Sequence, residues 1–167
     1  MNPSLQPADY ASAEQMAYTV ADACFAYLER HGEAAAEDFS DELHTLMAYI
    51  YLDSQVQEGG FLQLIASGYG EYVLENPLAD SLRRWKIKST PKIVEAVRTL
   101  YREYGADIES AAGAGADLDA LRAQFGIFEE WDGAYYDAAE ADLQAAADYI
   151  AVHPAKFRLP DGRAGKG

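Results

Sequence analysis

Between Tyr10 and Leu28 the apolar residues return every three or four positions, through Ala13, Ala17, Val20, Ala21 and Cys24, while Glu14, Asp22 and Glu29 fall mostly to the other side. A period near 3.6 buries one face of an α-helix and cannot serve a strand, whose faces alternate every second residue. The other long segments share this texture. Alanine, leucine and glutamate dominate them, and alternating β-branched runs do not occur. Such a composition favours helices over strands, and the chain is predicted to be all-α.

The first helix is predicted to start near Pro7, which suits a first turn, and to run to about Arg30, with His31-Gly32 ending it through a left-handed glycine. Ser40 is expected to cap a second helix reaching about Gln57 along Leu43, Leu46, Met47 and Ile50, with Asp41 and Glu42 well placed in its first turn. Gly59-Gly60 should break that helix, and Phe61, Leu62, Leu64 and Ile65 should drive a short helix back into the core. Ser67-Gly68-Tyr69-Gly70 reads as a turn. Asn76-Pro77 and Thr90-Pro91 each read as a cap followed by a first-turn proline, the second opening a helix to about Tyr104. Residues 105–117, with their run Ala111-Ala112-Gly113-Ala114-Gly115-Ala116, read as a loop. Helices are expected near 117–125, 128–139 and 142–152, the last ended by His153-Pro154. The sum is about seven or eight helices in one compact domain over residues 1–159, with 160–167 as a flexible tail.

Half of the 167 residues are apolar and 12% are aromatic, so there is ample material for a core. The formal net charge of −15 is therefore carried by a folded body, since a disordered acidic tail lacks that apolar fraction. Cys24 is the single cysteine, which excludes an internal disulfide and a thiolate zinc site; its apolar surroundings mark it as a small buried hydrophobe. No run of about 18 apolar residues suits a membrane span. No basic region followed by an apolar one marks a signal peptide, so a cytoplasmic location is expected.

The charge is segregated along the chain. Residues 1–82 hold fourteen acids against Arg30, residues 83–102 hold seven bases against Glu95, and residues 103–150 hold twelve acids against Arg122. Evenly solvated helices mix signs in i,i+4 pairs, whereas the first and last helices have almost no base to pair with. Acids on neighbouring helices can approximate a row of phosphates, although charge alone identifies no partner and many cytosolic proteins are simply acidic. Direct binding to nucleic acid is not expected, because phosphates would be repelled. The basic cluster of Arg83, Arg84, Lys86, Lys88, Lys92 and Arg98, with Trp85 inside it, reads as neutralising acidic neighbours within the domain or at a self-association interface such as a homodimer's.

Signs of catalysis are sparse. There is no phosphate-binding glycine loop, no H-E-x-x-H and no G-x-S-x-G elbow. His31, His44 and His153 lack ligand spacing on a helix, so no metal and no cofactor is expected. Asp41 and His44 share a helix face and can hydrogen-bond, but no nucleophile accompanies them. Glu129-Glu130 is an ordinary acidic pair in a chain with 28 acids. Of the aromatic set Trp131, Tyr135, Tyr136 and Tyr149, Trp131 and Tyr135 are expected to pack inward, with the tyrosine hydroxyl reaching the surface; Tyr135 or Tyr136 could instead anchor a partner.

Two stretches carry a resemblance. The first is Gly59-Gly60-Phe61-Leu62-Gln63, continuing through Ser67-Gly68-Tyr69-Gly70 to Tyr104. The second is Trp131-Asp132-Gly133-Ala134-Tyr135-Tyr136, followed by Tyr149-Ile150 and His153-Pro154-Ala155-Lys156-Phe157. Together, over roughly residues 40–157, they resemble the acidic, all-helical DNA-mimic proteins of bacteria. The family commonly has asparagine near Ser67, where this chain departs from it. The resemblance implies a non-enzymatic protein that presents a duplex-like negative surface to a basic DNA-binding protein, a helix-turn-helix regulator or a nucleoid protein, and keeps it off DNA. The acids expected to stand in for phosphates are Glu14, Asp22 and Glu29 on the first helix, and Asp132, Asp137, Glu140, Asp142 and Asp148 near the end. The alternative is an interaction or immunity-type protein that recognises a basic partner without imitating DNA.

Overall fold

The computed structural model describes residues 2–160, and those residues contain α-helices and short 3-10 turns with no strand. The expected tail, apart from Pro160, lies outside the described residues. The helices are α1 Ala13–His31, α2 Asp41–Ala66, α3 Gly70–Leu74, α4 Leu78–Arg84, α5 Thr90–Gly113, α6 Leu118–Gln124 and α7 Glu129–Val152. The all-α expectation is met. α2 is interrupted at Gly59 and Gly60, whose backbones leave the helical region, so it consists of two helical arms.

α1 starts six residues later than predicted. Pro7–Asp9 forms a separate 3-10 turn, and Ser12 is the cap. The Ser12 hydroxyl accepts from Gln15 N at 3.0 Å, while Gln15 Oε1 accepts from Ala11 N at 2.6 Å. Ser12 thus satisfies a first-turn donor while Gln15 ties down the residue before the cap, a variant of the capping box that outweighs the proline signal. Gly32, at φ 91°, ends the helix as expected. Ser40 caps α2, accepting from Leu43 N at 3.1 Å.

The other two cap expectations need correction. Asn76 turns its amide back to the carbonyl of Tyr72 and caps nothing. Thr90 is the first residue of α5 and gives its hydroxyl to Asp142 instead. Two predicted breaks are also absent. α5 continues through Gly105 to Gly113, because Gly105 packs against the Tyr101 ring, where a Cβ would stand 2.6 Å from ring carbons. α7 is continuous across residues 139–142, a stretch with neither glycine nor proline to stop it.

α2 is the central element and touches each of the other α-helices. Its buried residues reach around the helix, from Leu43, Leu46 and Met47 to Tyr49, Ile50, Leu52 and Val56, as expected of a helix enclosed on most sides. α1 lies antiparallel to it, with Phe25 on Tyr51 and Tyr27 on Phe39. α7 also runs antiparallel to α2, bonding it at Asp53 through Tyr135 and at Phe61 through Asp132, while Ser40 meets Lys156 just beyond α7. α1 and α7 therefore run in the same direction and pack extensively on each other.

Asp53 is buried within this three-helix layer, 2% exposed. Tyr18 of α1 and Tyr135 of α7 both donate their hydroxyls to it, the latter at 2.5 Å. Burial, first, and the neighbouring carboxylate raise both phenols far above their ordinary pKa. The Tyr135 hydroxyl thus turns to the interior rather than to the surface. Cys24 is buried as expected, and burial pushes its thiol up to about 12.

Candidate partner-binding surface

The eight acids expected to face a partner divide into two groups. Glu14, Asp22 and Glu29 on α1, and Asp137, Glu140 and Asp148 on α7, are exposed. Among the described residues none of these six makes an ion pair. Glu14 and Glu140 lie together, lining one groove of about 370 Å³ between the start of α1 and the middle of α7. Asp148 accepts from Gln144 of its own helix, at 3.0 Å.

Asp142 and Asp132 do not belong to that surface, and both expectations are corrected. Asp142 is 5% exposed. One of its oxygens accepts from the backbone N–H and the hydroxyl of Thr90, each at 2.7 Å, so it caps α5 from another helix. Asp132 is half-buried, and its Oδ1 accepts from Phe61 N at 2.8 Å, which caps the second arm of α2. Burial raises the Asp132 carboxyl pKa, and the Phe61 hydrogen bond partly offsets that. Gly60 makes this cap reachable: it sits at φ 79°, and a Cβ there would stand 2.4 Å from Asp132 Oδ2. Both carboxylates serve orphan N–H groups at helix starts, where negative charge is favoured.

The basic stretch is partly neutralised within the domain. Arg83 pairs with Glu95 and with Asp80, and Arg102 pairs with Glu75 at 2.8 Å. Hydrogen bonding to these arginines holds Glu95 and Glu75 below the usual carboxylate range. Lys86, Lys88 and Lys92 are exposed and make no ion pair among the described residues. Trp85 is core, stacked on Tyr149 at 5.1 Å and set edge-on to Phe157 at 5.3 Å.

His44 is tied to the carbonyl of Ala36 at 2.9 Å rather than to Asp41. Both nevertheless line one cleft of about 640 Å³, together with Glu71, Tyr72, Glu75 and Arg84. Of the aromatic set expected as core, Tyr135 is fully buried, Trp131 and Tyr149 are half-buried, and Tyr136 is 45% exposed. The Tyr136 hydroxyl donates to Val56 O at 2.8 Å, and the residue lines two grooves. Asp53 is the internal acid that pattern reading passed over. Its signal was a charged residue on the apolar face of α2, one turn from Tyr49 and Val56.

Among the described residues, no helix is long and apolar enough to cross a membrane. The family model described as DMP19-like protein matches residues 37–153. The chain is also similar to a protein of Neisseria meningitidis serogroup B (strain ATCC BAA-335 / MC58) named DNA mimic protein DMP19. The two are 53% identical over 146 residues, which cover 86% of this chain and 88% of that relative. With the acidic, all-helical body, and with the first motif stretch and the second as far as His153 inside the matched region, this chain belongs to the DMP19-like protein family.

Proposed function

We propose that this protein is a non-enzymatic DNA mimic of the cytoplasm, which occupies the DNA-binding surface of a basic regulator or nucleoid protein and blocks its access to DNA. The observation that carries this reading is the exposed set of carboxylates on two adjacent helices that run the same way and pair with no base among the described residues, in a chain 53% identical to a relative named a DNA mimic. On α1, Asp22 follows Glu14 by eight residues, and on α7 Asp148 follows Glu140 by the same interval. With Glu14 beside Glu140, the second pair lies about 12 Å farther along at the helical rise per residue. Neighbouring helix axes stand about 8–10 Å apart, so the acids form two short lines rather than one. Asp22 to Glu29 spans about 10 Å of helix, close to three phosphates at about 3.4 Å of axial rise each.

A fixed array of this kind acts mainly on encounter and orientation, through attraction that salt screens. The test is competition: the protein should displace a basic DNA-binding protein from a labelled duplex at low ionic strength. The displacement should weaken steeply as salt rises. Salt-insensitive binding, or failure to displace any such protein, refutes the proposal. The exposed Tyr136 ring favours the second reading, a specific basic partner recognised without duplex mimicry. Alanine scanning separates them, since losses spread over Glu14, Asp22, Glu29, Asp137, Glu140 and Asp148 support mimicry, and a loss confined to Tyr136 supports the rival.

A further inference from the structure

Tyr136 is the shared wall of two grooves. One, of about 410 Å³, is lined on its acidic side by Glu129 and Asp132 and on its apolar side by Leu62 and Phe125. The other, of about 370 Å³, has Glu14 and Glu140 as its acids and Ala139 and Leu143 as apolar lining. The ring between them is held at its far end by the bond to Val56 O, and Tyr136 is 45% exposed.

The two grooves differ in one respect that bears on their use. The first contains a guanidinium supplied by the chain itself: Arg122 lines it and donates to Gly59 O at 3.4 Å. The second has a matching pair of carboxylates and the same ring, and among the described residues no base lines it. An arginine side chain combines an apolar stem with a planar cation, which suits apolar lining, an aromatic face and two acids at once. Lysine offers a compact, strongly hydrated charge with less to gain from the ring. We propose that the groove between α1 and α7 receives an arginine side chain of the partner protein, its guanidinium lying on Tyr136 between Glu14 and Glu140. This rests on the reading above that a basic DNA-binding protein docks on this surface, and it adds a preference that charge attraction alone does not supply.

The probes are labelled octa-arginine and octa-lysine peptides, equal in charge, measured by fluorescence anisotropy at low ionic strength, with circular dichroism establishing that each variant is folded. The wild-type protein should bind octa-arginine roughly three-fold more tightly, the scale of an exposed cation–π contact. Tyr136→Leu should bring the ratio to about one, whereas Tyr136→Phe, which keeps the ring, should preserve it. Glu14→Gln with Glu140→Gln should weaken octa-arginine binding more than Asp22→Asn with Glu29→Gln, which removes the same charge away from the ring. Equal wild-type affinities, or a preference that survives Tyr136→Leu, would overturn the groove while leaving the acidic docking surface standing. If neither peptide binds the wild-type protein, the docking reading falls and the groove with it.

Discussion

Asp142 does from a distance what a capping side chain usually does from the next residue. It accepts both donors of Thr90, 52 positions away, in a buried setting. Asp142→Ala leaves a backbone N–H and a hydroxyl without an acceptor, at about 1–3 kcal/mol each. Urea denaturation should therefore show a loss of about 2–6 kcal/mol. Asp137→Asn, on the exposed face of α7, should change stability by less than about 0.5 kcal/mol while weakening partner binding. The two acids are five residues apart on one helix and cannot be told apart by composition. Helical periodicity could have separated them, since Asp142 neighbours the buried Leu143 and lies three residues beyond the buried Ala139. Which donor it serves was not legible, because Thr90 already looked like a local cap with proline after it.

At the scale of elements, the helices were largely legible in the sequence and their ends less so. Local chemistry placed the Ser40 cap, the Gly32 stop and the Gly59-Gly60 break, where the deciding residues lie within one turn. It failed where a glycine sits inside a helix under a side chain one turn earlier, as Gly105 does under Tyr101, or where no breaker existed, as between Ala138 and Leu143. Two glycines, one from each motif stretch, make a matched test. Gly133 lies inside α7 with open space where a Cβ would stand, so Gly133→Ala should stabilise the protein by about 0.5–1 kcal/mol. Gly60→Ala must strain a positive φ and push Asp132 from Phe61, and should destabilise it by more than about 1 kcal/mol. Thermal and urea unfolding of the pair should move in opposite directions.

For the whole molecule, self-repulsion dominates the electrostatics of a body with net charge −15. Raising ionic strength from about 0.01 M to about 0.15 M shortens the screening length from about 30 Å to about 8 Å. The melting temperature should rise over that range while affinity for a basic partner falls. A melting temperature that falls with salt would mean that the exposed pairs Arg83–Glu95 and Arg102–Glu75 outweigh repulsion. The separation of acidic and basic blocks was readable from the sequence. The pairing of two arginines across α3, α4 and α5 was not, because it joins residues 12 and 27 positions apart.

The meeting of Tyr18 and Tyr135 at Asp53 also has an optical consequence. Both phenols titrate above their ordinary value of 10.0 in the folded protein, so their contribution to stability is complete below that pH and is lost as the solution becomes more alkaline. Tyr49, wholly buried beside them in the same core, behaves likewise. In an alkaline titration followed by tyrosinate absorbance, the exposed members of the twelve tyrosines should ionise first, with helical ellipticity unchanged. The remaining absorbance should then appear together with the loss of ellipticity, because these hydroxyls cannot release their protons until the three helices part. The late step is thus a built-in spectroscopic report on the integrity of the layer that holds α1 and α7 side by side.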